Sequence, residues 1–294
     1  MSHRKIVLLG ANGQVGFELA RSLLPLGEVT ALSRQQWDLQ DLEAGPALLD
    51  KLRPDVLVNA AAYTAVDKAE SEPELANAIN AKLPALLARH CVDNDALLVH
   101  YSTDYVFAGD ADRPYLESDD CAPTGVYGES KLAGERAISD SGCEHLVFRT
   151  SWVFAERGHN FLQTMLRLAT QRDALSIVSD QQGCPTWSRH IADTTAAILA
   201  QRGRASGPVG TFHLASRNHT NWHAFADAIF DRAVKLGLIP KKPELTAIGT
   251  HQYPTPAKRP AWSVLDTDAI ERAFSLRMPT WQKALELCMG RMVS

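Results

Sequence analysis

The chain has 294 residues, 45% hydrophobic and 22% charged, enough to bury roughly three quarters of its unfolded surface as one large domain or a domain with a smaller lobe. A net charge of −4 gives no reason to expect a nucleic-acid partner, so an anionic ligand has to be held by local cations. Neither a membrane-length apolar run nor a signal core is present, and five cysteines without CxxC spacing suggest neither a disulfide framework nor a zinc site; a reduced, cytoplasmic protein is expected.

Lys5-Ile6-Val7-Leu8-Leu9 reads as a strand. The turn Gly10-Ala11-Asn12-Gly13-Gln14-Val15-Gly16 follows, and then a helix in which Val15, Leu19, Leu23 and Leu24 recur at helical spacing. Glycines let the backbone take positive φ and let a pyrophosphate approach the N–H groups of the helix N-terminus. The spacing differs from the commonest dinucleotide fingerprint. Placed between an apolar strand and an amphipathic helix, the turn still reads as a dinucleotide site.

Further strands are expected at Glu28–Leu32, Asp55–Asn59, Ala96–Ser102 and His145–Arg149, and helices at Leu42–Leu52, Glu74–Cys91 and 126–139. Near-continuous apolar strands alternating with helices predict an α/β protein, a doubly wound parallel sheet covered on both faces. Ligands in such sheets sit beyond the carboxyl ends of the strands. There lie the glycine turn, Ser33-Arg34, Ala60 to Thr64, Thr103-Asp104-Tyr105 and Thr150-Ser151-Trp152. A serine and an arginine, where many NAD-specific enzymes place an acid, suit a 2′-phosphate, so NADPH is expected over NADH. The competing reading of Arg34 is a solvated loop cation.

In Val126-Tyr127-Gly128-Glu129-Ser130-Lys131-Leu132, Tyr127 and Lys131 stand four apart, on one helix face. A cation beside a phenol would lower its pKa and make it a usable proton donor. This pairing next to a nucleotide turn points to redox chemistry. His100 reads as a packed core histidine, and the charges Lys68, Glu70, Glu72 and Glu74 as a solvated face. A tryptophan after a buried strand, as Trp152 is, more often belongs to the core than to a ligand site.

From residue 155 the pattern loosens into helices at 160–171, 188–201, 222–236 and 280–289, with short strands at Leu175–Val178, Thr211–Leu214 and Leu245–Ile248. We expect a dinucleotide-binding domain over 1–154 and a mainly substrate-binding smaller α/β lobe over 155–294, some segments returning to the first domain. Lys258 and Arg259, among prolines and aromatics, suit either a phosphate-bearing ligand or a shaped surface loop.

Gly10, Gly13 and Gly16, a threonine after the fourth strand and Tyr127-x-x-x-Lys131 together resemble the extended short-chain dehydrogenase/reductases. The segments Asn59-Ala60-Ala61-Ala62, Thr64-Ala65-Val66-Asp67, Tyr101 to Phe107, Arg149 to Val153 and Tyr253 to Pro260 resemble, essentially end to end, the dTDP-4-dehydrorhamnose reductase branch. The resemblance implies reduction of the 4-keto group of dTDP-6-deoxy-L-lyxo-4-hexulose by NAD(P)H, giving dTDP-L-rhamnose for surface polysaccharide. It makes Tyr127 the proton donor, Lys131 the holder of the nicotinamide ribose and Thr103 a second hydrogen-bond donor to the carbonyl. It places Asp104 and Trp152 on the sugar nucleotide, with Arg259 nearby. Gly13, Gln14 and Val15 fall on the pyrophosphate, Asp38 and Leu39 near the adenine, and Ala62, Tyr63 and Thr64 along the cofactor.

Some members bind magnesium through glutamates near a dimer contact. Glu18 matches one such position, but Arg189 stands at a second, which puts both the metal and a metal-bridged homodimer in doubt. Three relatives in fold are rivals. A 4,6-dehydratase needs an acid pair after the active threonine, whereas Asp104 is followed by Tyr105. An epimerase keeps NAD⁺ bound, against which Ser33-Arg34 argues. A non-catalytic regulatory subunit has no need of Thr103, Tyr127 and Lys131 together.

Overall fold

The computed structural model describes residues 4–202 and 207–293. Strand β1 (Arg4–Leu9) leads into helix α1 (Gln14–Ser22), followed by β2 (Gly27–Leu32), α2 (Gly45–Leu52) and β3 (Val56–Asn59). Short helices α3 (Val66–Ala69) and α4 (Pro73–Asn77) precede α5 (Leu83–Asn94), β4 (Leu97–Thr103), α6 (Val126–Ser141) and β5 (His145–Thr150). The long helix expected from Glu74 onward is divided by a π-turn at Ala78–Lys82, where buried Asn80 bonds sideways to the Tyr63 backbone and to Ser130 Oγ. Such turns often mark functional sites.

The second half runs β6 (Val153–Phe154), α7 (Phe161–Ala169), β7 (Ala174–Val178), β8 (Gln182–Gly183), β9 (Thr186–Trp187) and α8 (Ser188–Arg202). It continues with β10 (Gly210–His213), β11 (Thr220–Asn221), α9 (Trp222–Lys235), β12 (Glu244–Ile248), α10 (Asp268–Ala273) and α11 (Trp281–Gly290). β7 pairs in parallel with β12, β6 in parallel with β9, and β8 antiparallel with β11. β10 is different: it crosses back to extend the main sheet beside β5.

That sheet has six strands, all parallel, in the order β10-β5-β4-β3-β1-β2. Alternation of side chains explains the unbroken apolar runs. Ile6, Leu8, Val56, Val58 and Val99 enter the core under α1 and α8, with Phe212, Ile270 and Phe274 from the second half of the chain. Val7, Leu9, Leu57, Leu98 and Val147 enter the opposite core, with Leu83, Leu87 and Ile138 from α5 and α6. A separate core gathers Phe154, Leu162, Met165, Ile177, Phe225, Phe230 and Trp281 from the second half of the chain. No helix among the described residues is long and apolar enough to cross a membrane.

Candidate active site

The glycine turn is shaped by contact. Gly10 has φ +77°, and a Cβ there would lie 2.5 Å from the Ala61 nitrogen; a Cβ on Gly16 would collide with the Gly10 carbonyl. α1 begins at Gln14 with Gly13 as an extended N-cap that offers no side-chain oxygen, so its first N–H groups are left for an anion. In front of this turn lies a cleft of about 350 Å³. Gly10, Gly13, Arg34, Asp38, Leu39, Ala62 and Tyr63 line it, together with Asn12, Trp37 and Gln40. Gln14, Val15, Gly16, Ser33, Thr64, Tyr127 and Lys131 are not in that lining.

Arg34 is mostly exposed and its guanidinium meets Asp38 at 3.2 Å; Ser33 is tied through its N–H and Oγ to Gln36 Oε1, 2.9 Å each. Asp38 is held below the usual carboxylate range by the Gln40 backbone N–H and by Arg34. Of the charges expected to be merely solvated, two have structural work. Glu72 accepts a 2.5 Å hydrogen bond from the Tyr63 hydroxyl, and Glu70 accepts from the Val126 N–H at the start of α6.

Beyond the carboxyl end of β4, Thr103 Oγ1 donates to Asp104 Oδ1 at 3.0 Å and accepts from the Tyr105 N–H, while Ser151 Oγ donates to Asp104 Oδ2 at 2.8 Å. Burial pushes Asp104 up against these hydrogen bonds. The Tyr127 phenol lies close enough to Thr103 for that hydroxyl to oppose the rise in its pKa, and its ring meets Tyr105 edge-on with centroids 5.6 Å apart.

Lys131 lies one turn along α6, 1% exposed, but it is not among the groups that act on the phenol's pKa. Nζ sits 2.6 Å from the Tyr101 carbonyl and 3.1 Å from His100 Nε2. Burial raises the Tyr127 phenol and lowers Lys131 to about 8, the nearby Glu135 opposing the latter. The expectation of a cation-depressed phenol is therefore corrected: desolvation wins, and Tyr127 holds its proton through neutral pH.

A second cavity, about 780 Å³, is lined by Tyr105, Phe161, Arg172, Trp222, Tyr253 and Arg259 among others. Arg259 pairs with Asp67 at 2.7 Å and donates to the Tyr105 hydroxyl at 3.3 Å. Trp152 does not line the cavity; it stacks flat on Trp222, centroids 3.4 Å apart, from a left-handed backbone (φ 46°). That conformation costs a bulky residue about 1–3 kcal/mol. Trp222, seventy residues downstream, carried no sequence signal of this pairing.

Glu18 is 4% exposed, and its carboxylate faces Arg21 at 3.2 Å and Arg189 at 3.6 Å. Two guanidinium groups already fill the place of a cation, so these residues do not fit a divalent metal. Among the described residues no three His, Cys, Asp or Glu gather as metal ligands.

A doubly wound parallel sheet, a glycine turn fronting a nucleotide-sized cleft, and a tyrosine and lysine one helical turn apart define a short-chain dehydrogenase/reductase of the extended type. The RmlD substrate binding domain model matches residues 4–294, and the chain belongs to that family. It is 48% identical to a dTDP-4-dehydrorhamnose reductase of Burkholderia thailandensis, with 99% of each chain covered, and 45% identical to one of Salmonella typhimurium over 98% of this chain and 97% of the other. A crystal structure of dTDP-4-dehydrorhamnose reductase from Bacillus anthracis in complex with NADP superposes with a TM-score of 0.91 at 31% identity, covering 99% of this chain and 100% of that one. A UDP-glucose 4-epimerase from Thermus thermophilus, 19% identical with a TM-score of 0.79, shares the fold.

Proposed function

We propose that this protein reduces the 4-keto group of dTDP-6-deoxy-L-lyxo-4-hexulose with NADPH to give dTDP-L-rhamnose. The observation that carries this reading is Tyr127 on α6 with the buried Thr103–Asp104 pair beyond β4, in a chain that also has a glycine-lined cleft and is 48% identical to a named reductase of that sugar nucleotide. Gly10, Gly13 and Gly16 admit the pyrophosphate at the start of α1, where Gln14 and Val15 offer N–H groups. Ser33 and Arg34 face the adenosine 2′-phosphate, Asp38 and Leu39 the adenine, and Ala62, Tyr63 and Thr64 the middle of the cofactor. Lys131 holds the nicotinamide ribose.

Bound NADPH supplies the hydride. As negative charge grows on the carbonyl oxygen, Tyr127 delivers its proton there and Thr103 turns its hydroxyl from Asp104 toward the same atom. Before the substrate enters, Asp104 keeps Thr103 oriented, and Ser151 keeps Asp104. The larger cavity takes the sugar nucleotide, with Trp152 braced on Trp222 and Arg259 on Asp67. The chain works in the cytoplasm, where its nucleotide substrates are, with residues 1–154 mainly holding the cofactor and 155–294 mainly the substrate. A homodimer would need an interface in which Glu18 stays paired with arginines rather than a metal.

Calorimetric titration tests the substrate class: dTDP should bind more tightly than UDP or GDP, and equal affinities would remove the thymidine assignment. Cofactor preference is tested separately with Arg34→Ala. Losing one charge-assisted contact, worth about 1.5–3 kcal/mol, should cut the NADPH-over-NADH ratio of kcat/KM by about tenfold or more. An unchanged ratio would return Arg34 to its pairing with Asp38 alone.

A further inference from the structure

His100 is 1% exposed in β4, and the sequence reading gave it only packing. Its ring nitrogens are both engaged: Nδ1 lies 3.1 Å from Asn59 Nδ2, and Nε2 lies 3.1 Å from Lys131 Nζ. Which nitrogen carries the proton follows from the fixed backbone donor at the end of the chain. The Ala61 N–H donates to Asn59 Oδ1 at 3.2 Å, which makes the Asn59 atom facing the ring its NH₂ group. That group can only donate, so Nδ1 must accept and the ring proton must sit on Nε2. Nε2–H then points at the Lys131 nitrogen, whose protons are available to the Tyr101 carbonyl at 2.6 Å. An ammonium has no lone pair to accept Nε2–H. With Lys131 charged, one contact in the run Ala61–Asn59–His100–Lys131 must set donor against donor.

We infer that the Asn59–His100 pair is a positioning device that holds Lys131 as a neutral amine in the cofactor-free protein at mildly alkaline pH, so that Lys131 takes up a proton from solvent as the cofactor binds there. The inference rests on Lys131 being the ribose ligand. Other groups facing the amine do not undo it. Glu135, from the same helix, favours the charged form but is spent on Arg149 from β5; β4 presents His100 and the Tyr101 carbonyl, and β3 reaches the amine only through Asn59. Burial lowers His100 well below the ordinary histidine value, so it carries a single ring proton, and burial likewise lowers Lys131. Phosphates and ribose hydroxyls arriving nearby favour the ammonium, and the incoming proton enters on Nζ.

Two measurements decide it. Ring ¹⁵N NMR of the cofactor-free protein at about pH 8.5, with His100 assigned by its absence in His100→Gln, should show Nε2 protonated and Nδ1 bare; a proton on Nδ1 overturns the inference. Calorimetry of NADP⁺ binding at the same pH, in buffers of different ionisation enthalpy, should show uptake of about one proton per chain. Asn59→Asp accepts from both the Ala61 N–H and Nδ1–H, turning the Nε2 lone pair toward an ammonium, so the uptake should fall to near zero with NADP⁺ still bound. Uptake unchanged in Asn59→Asp, or absent in the wild type, overturns the inference. Failure of NADP⁺ to bind the wild type at all would sink the cofactor reading instead, and the ring measurement, which needs no cofactor, would still decide this one.

Discussion

Tyr127→Phe should lower turnover by at least about a hundredfold, since a positioned general acid is typically worth ~10²–10⁴-fold. The ring stays, so its edge contact with Tyr105 and the packing of α6 are kept, and NADPH affinity should change little. The loss should therefore appear in kcat with cofactor binding intact, as removal of a transition-state interaction does. Burial sharpens the expectation. A phenol raised by desolvation carries its proton at working pH, the form a reduction consumes, and no other hydroxyl in the Thr103–Asp104 chain has a proton to spare without breaking a buried bond. Near-native turnover of the phenylalanine variant would remove Tyr127 from the chemistry.

Glu135→Ala should destabilise the fold by about 3–5 kcal/mol, the usual consequence of stripping one partner from a buried ion pair. Glu135 on α6 receives three contacts from Arg149 on β5, at 2.7, 3.1 and 3.1 Å, with both side chains almost fully enclosed. The guanidinium also lies 5.1 Å from the Phe107 ring centroid. This clamp fixes the helix that carries Tyr127 and Lys131 to the sheet, so activity should be lost along with stability. Urea unfolding checks it, and the double variant Glu135→Leu, Arg149→Leu should recover most of the loss because no charge is left stranded. A single variant as stable as the wild type would show that Arg149 finds another partner.

The main sheet was legible because parallel strands buried on both faces write themselves as unbroken apolar runs, and Ile6-Val7-Leu8-Leu9 feeds two cores at once. Tyr127 and Lys131 were legible because four-residue spacing survives in any helix. Their electrostatics were not, since the effect of burial on the phenol depends on neighbours far away in sequence. The Trp152–Trp222 stack, the Arg259–Asp67 pair and the Asn59–His100 contact join residues 70, 192 and 41 positions apart, for which no local pattern exists. The π-turn around Asn80 was hidden for a related reason: its residues have ordinary helical periodicity, and only the partners Tyr63 and Ser130 give the extra residue a purpose.

The return of β10 to the edge of the main sheet has a consequence for biosynthesis. When the ribosome has finished β5, the nascent sheet ends in a strand whose outer N–H and C=O groups have no mate until residues 210–213 emerge, some sixty codons later. Ile191, Ile198 and Leu199 of α8, which seal one face, also arrive late. The first half of this chain is thus born sticky and must wait for the second, so the interval between them is when a growing polypeptide of this kind most needs shielding from its neighbours.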